Sequence, residues 1–111
     1  MLSSLEIPFE NICYTATIQQ AAAIMKRCAF GLGVENYFAQ LARAVKLPGV
    51  VIEGGGDFGR FFPNEDLTTI ISNRLECFGW GWKCRHDVVR CIKDIDPEEV
   101  VRACEKHLAN R

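Results

Sequence analysis

The chain has 111 residues, 49% of them hydrophobic and 24% charged, with a formal net charge of -1. That supports one small core of ordinary globular composition and excludes a disordered tail or a fibrous repeat. A balance so near neutrality argues against nucleic acid as a partner, and no apolar run approaches the roughly 20 residues of a transmembrane segment.

Met1 to Glu6 has neither the basic region nor the apolar stretch of a secretion signal, so the cytoplasm is the expected compartment. Residues 1–111 read as a single domain, with no internal repeat and no linker. Asn11-Ile12-Cys13-Tyr14 is apolar enough for a first buried strand. Thr17 precedes Ile18 with Gln20 three residues on, the spacing of a capping box. Ile18, Ala21, Ala22, Met25 and Ala29 then form the apolar face of a helix, and Lys26 and Arg27 suit the negative end of its dipole. Phe30 to Val34 reads as a second buried strand. Asn36 is a good N-cap for a helix presenting Phe38, Leu41, Ala42 and Val45, which Leu47-Pro48-Gly49 stops. Val50 to Ile52 is a third strand. The order β-α-β-α-β over residues 11–56 predicts parallel strands joined by helical crossovers.

The pattern changes over residues 57–92, a region rich in glycine, aromatics and cysteine in which Leu67 to Ser72 could be a fourth strand. Residues 96–110 form a closing helix, with Asp96 as N-cap, Pro97 at its first position and Glu98 and Glu99 in its first turn. Val100, Val101, Cys104 and Leu108 give it a broad apolar side. The expected fold class is α/β, with a three- to four-stranded, mainly parallel sheet flanked by helices.

Parallel sheets bind ligands beyond the carboxyl ends of their strands. Glu35, between the second strand and its helix, would stand at the mouth of such a site, able to accept from a sugar or ribose hydroxyl or to complement the helix dipole. Gly54-Gly55-Gly56 follows the third strand, where bare backbone N–H groups can cradle a phosphate or simply form a connector. Arg60 could add a clamp for phosphate or lie in solvent, and Phe58, Phe61 and Phe62 read as core filling. Six residues separate Cys77 from Cys84, and six separate Cys84 from Cys91. No C-x-x-C is present, which excludes that redox motif. With His86 as a fourth ligand, these thiols could hold Zn or Fe; the alternative is a packed, thiol-rich loop. Cys13, Cys28 and Cys104 read as reduced core residues.

Several of these stretches together resemble the C-terminal half of bacterial heptosyltransferases, the ADP-heptose:lipopolysaccharide glycosyltransferases of the GT-B fold. The resemblance runs from Thr17 to Pro63 and extends to Cys77-Phe78-Gly79. It is carried by the small-residue helix Ile18 to Cys28, Leu32-Gly33, Glu35 to Ala42, Leu47-Pro48 to Ile52, and Gly54-Gly55-Gly56. The family's D-S/T-G-x-x-H appears here as Glu35-Asn36-Tyr37-Phe38-Ala39-Gln40, with a longer acid, bulkier neighbours and glutamine for histidine.

The resemblance implies a partial Rossmann-like GT-B half-domain that binds an ADP-heptose-like nucleotide-sugar. Glu35, Asn36, Gln40, Gly54, Gly55, Gly56 and Arg60 would be the donor-binding residues. It implies inverting transfer to a lipopolysaccharide or protein acceptor. The family's catalytic base lies in the other half, so catalysis would need the missing N-terminal GT-B half or another chain. A sheet cut in this way leaves an edge that favours association, as a homo-oligomer or with a protein partner. That defines the alternative, a non-catalytic interaction module.

Overall fold

The computed structural model describes residues 6–56, 67–79 and 83–110. Its elements are α1 (Ile18–Met25), β1 (Gly31–Val34), α2 (Tyr37–Ala44), β2 (Gly49–Ile52), β3 (Thr68–Ile71), α3 (Arg90–Lys93) and α4 (Pro97–Ala109). The three strands form one parallel sheet in the order β1-β2-β3. Gly31 lies opposite Gly49 and Val34 opposite Ile52; on the other side Gly49 pairs with Thr68 and Ile52 with Ile71. The protein is therefore α/β, a small parallel sheet with flanking helices. The stretch read as a fourth strand supplies β3.

Local chemistry sets the helix starts. The Thr17 hydroxyl accepts from Gln20 N–H at 3.2 Å while the Gln20 side chain accepts from Thr17 N–H at 2.8 Å, a complete capping box. Asn36 Oδ1 accepts from Phe38 N–H at 3.0 Å and from Ala39 N–H at 3.3 Å. Asp96 accepts from Glu98 N–H at 3.0 Å, and Pro97 opens α4.

Side-chain alternation in β2 and β3 divides the core between the two faces of the sheet. Ala39 of α2 packs with Val51 and Ile70 on one face. Val50 and Ile71 meet Ala103 of α4 on the other, with Ile95, Val100 and Cys104 around them. Full burial of a Val or Ile side chain is worth about 1.5–3 kcal/mol, so the central strand and its two neighbouring layers hold the domain together. At Gly49 the strands come so close that a Cβ would lie 2.6 Å from the Gly31 carbonyl oxygen. Only glycine fits there.

Several expectations are corrected. Asn11 to Tyr14 is a turn closed by Thr15 N–H to Ile12 O at 3.2 Å, with Tyr14 fully exposed at φ 63°, and not a buried strand. Nothing pairs with this stretch among the described residues, so its apolar side chains gain no sheet, and Cys13 is exposed. Helix α1 ends at Met25 with Lys26 as its C-cap, so Lys26 and Arg27 lie outside the last turn. Cys28 lies beyond that cap and is exposed. Strand β1 is not buried on both faces, since Leu32 and Val34 are exposed on an edge strand. Gly49 belongs to β2 and is not the turn that ends α2. That end is a Schellman closure in which Lys46 N–H reaches Arg43 O at 3.0 Å and Leu47 N–H reaches Ala42 O at 2.9 Å. On α4, Val101 and Leu108 remain exposed because the helix docks through Val100, Ala103 and Cys104. Burial pushes the Cys104 thiol pKa up.

Candidate functional site

The carboxyl ends of β1 and β2 put two acidic residues and the glycine run on one rim. Glu35 follows β1, and its N–H donates to Ile52 O of β2 at 3.1 Å. Glu53 follows β2 and donates its N–H to Ile71 O of β3 at 2.9 Å. Gly54, Gly55 and Gly56 come next. Glu35 and the glycines thus lie at the same end of the sheet because parallel strands all finish there.

Glu53 was missed by sequence reasoning. It is fully buried, the most enclosed charged residue described. A charged side chain closing an otherwise apolar strand, directly before three glycines, was the available signal.

The glycine run is not an open phosphate cradle. Gly55 N–H donates to Cys91 Sγ at 3.4 Å, and Gly55 O accepts from Gly79 N–H at 2.6 Å. A Cβ on Gly55 would meet the Phe78 ring at 3.0 Å, and one on Gly54 would meet Ile92 at 3.3 Å. The loop is glycine-rich because the segment around Phe78 and the segment from Cys91 to Ile92 pack directly onto it. Arg74 in turn lies over the Phe78 ring, 5.4 Å from its centroid.

Asn36 sits beside Glu35, but its side-chain oxygen is engaged in capping α2. Gln40 stands apart from the glycines, in a shallow depression with Arg43, Lys46 and Leu67. Arg60 lies outside the described residues, as do Phe58, Phe61 and Phe62 and the tryptophans at 80 and 82.

Cys77, Cys84 and Cys91, evenly spaced in sequence, line one mainly apolar cavity of about 270 Å³ together with Gly54, Gly55 and Gly56. His86 does not line it. All six cysteines are free thiols. Among the described residues no group of three or more His, Cys, Asp or Glu side chains is placed to hold a metal ion. The three thiols share one cavity. No helix among the described residues is long and apolar enough to cross a membrane.

The chain matches no protein-family model, no curated protein and no solved structure.

Proposed function

We propose that this chain is the nucleotide-sugar-binding part of a heptosyltransferase-like GT-B glycosyltransferase. Its donor would be ADP-heptose or a close analogue, and transfer would require groups from a second half or another chain. The observation that supports this reading is the shared rim: the acid after β1 and the glycines after β2 lie side by side at the carboxyl end of a parallel sheet. There Glu35 would accept from sugar or ribose hydroxyls. Gly54 to Gly56 would border the phosphate side without cradling it, since Gly55 N–H is donated to Cys91, and Asn36 would reach the donor through its amide nitrogen.

Calorimetric titration of the folded chain with ADP and ADP-heptose tests this. Binding is expected with both, and Glu35→Ala should weaken ADP-heptose about tenfold, the loss of one charge-assisted hydrogen bond. Absence of heat at millimolar ligand would overturn the reading. The chain alone should transfer no sugar.

One observation favours a second reading, an interaction module that pairs through its sheet edge. Leu32 and Val34 are 56% and 48% exposed on edge strand β1, and that strand carries no charge or proline to protect it.

A further inference from the structure

The three thiols of the glycine-lined cavity are a chemistry that nucleotide-sugar binding does not use. We infer that Cys77 and Cys91 form an oxidisable pair that closes to a disulfide across the Gly54–Gly56 loop when the protein meets a peroxide. The inference stands whether or not that loop binds a nucleotide.

Gly55 is gripped from two sides. Cys91 accepts its N–H through Sγ at 3.4 Å, and the turn carrying Cys77 holds its carbonyl through Gly79 N–H at 2.6 Å. A Cβ on Gly55 would lie 3.5 Å from Phe78 Cα and 3.7 Å from Cys91 Cβ. Phe78, the residue after Cys77, and the Cβ of Cys91 thus both border the space beside Gly55, which the Phe78 ring also reaches at 3.0 Å, and Cys77 and Cys91 line the cavity that adjoins it. A disulfide needs close Cα approach, about 4.4–6.8 Å. A glycine between the two segments permits that approach, and a larger residue would wedge them apart.

The remaining thiols are placed differently. Cys84 is exposed, with its Sγ turned toward Val88 O of its own segment at 3.9 Å. Cys13 and Cys28 are exposed and line no part of this cavity, and Cys104 packs beneath α4.

The chemistry balances with the peroxide as oxidant. One thiolate attacks a peroxide oxygen, breaking the O–O bond and leaving a sulfenic acid and one water. The second thiol then attacks the sulfenic sulfur, forming the S–S bond and releasing the sulfenic oxygen as a second water. Two thiols give up two electrons and two protons, and the peroxide is reduced to two waters. The product fixes the Gly55 loop between two covalently joined segments.

The test treats the full chain with hydrogen peroxide, alkylates the remaining thiols and maps linked peptides by mass spectrometry. The expected result is two fewer alkylatable thiols than the six of the reduced protein. It should come with a Cys77–Cys91 linked peptide, monomer migration without reductant, and slower amide exchange across Gly54–Gly56. Cys84→Ser should leave the bridge intact, whereas Cys77→Ser and Cys91→Ser should each abolish it. A bridge to Cys84, cross-linking between chains through Cys13 or Cys28, or oxidation only to sulfinic and sulfonic acids would overturn the inference. The wild-type map decides the matter even if a serine variant fails to fold.

Discussion

Lys46, like Tyr14, carries local backbone strain. It sits at φ 59°, in the left-handed region, at the position that closes α2. Glycine is the usual residue there because a Cβ costs about 1–2 kcal/mol in that conformation. Lys46→Gly is therefore expected to raise stability by about 1 kcal/mol, after subtracting the extra chain entropy of glycine, and a thermal melt would show the midpoint move upward. No change, or a fall, would mean that the lysine stem packs well enough to offset its own strain. Gly49 illustrates the opposite constraint. Its φ is unexceptional, and the carbonyl of Gly31 is what excludes a side chain.

At the scale of elements, α4 is the piece that makes the sheet two-sided. It lies over β2 and covers Val50 and Ile71 through the small, buried Ala103. A small residue at the contact lets a helix approach the sheet closely, and a larger one must push it away. Ala103→Leu is expected to cost about 1–3 kcal/mol by overpacking, read as a lower denaturant midpoint with an unchanged slope. Equal stability would show that α4 slides on the sheet and does not lock onto it. The hydrogen bond between Thr69 and His107, at 3.1 Å, ties the last turns of the same helix to β3.

For the whole molecule, the exposed edge of β1 is the feature with the largest consequence. Among the described residues no strand pairs with the outer side of β1, and an edge of that kind forms a template for another strand. Sedimentation over a range of concentrations is expected to show self-association that Val34→Lys suppresses, because a buried ammonium at a strand contact is costly. A monomer at every concentration would remove the edge-pairing reading and leave nucleotide-sugar binding unaffected.

What could be read from the sequence were features set by neighbours a few residues apart. The Thr17–Gln20 capping box, the Asn36 cap and the Asp96-Pro97 start depend on side chains reaching backbone within one turn, so their residue types announce them. The apolar run Val50 to Ile52 and the β-branched stretch Thr68 to Ile71 likewise declare strands. Tertiary contacts decided the rest. Asn11 to Tyr14 has the composition of a strand but no neighbour to pair with among the described residues, and β1 has strand character but lies at an edge. The presence of Glu35 and the glycines at one rim follows from parallel pairing. The burial of Glu53, the capture of Gly55 N–H by Cys91 and the gathering of Cys77, Cys84 and Cys91 around one cavity join segments up to 36 residues apart. Periodicity reports which way a side chain faces along its own element. It carries no information about what a distant segment brings to meet it.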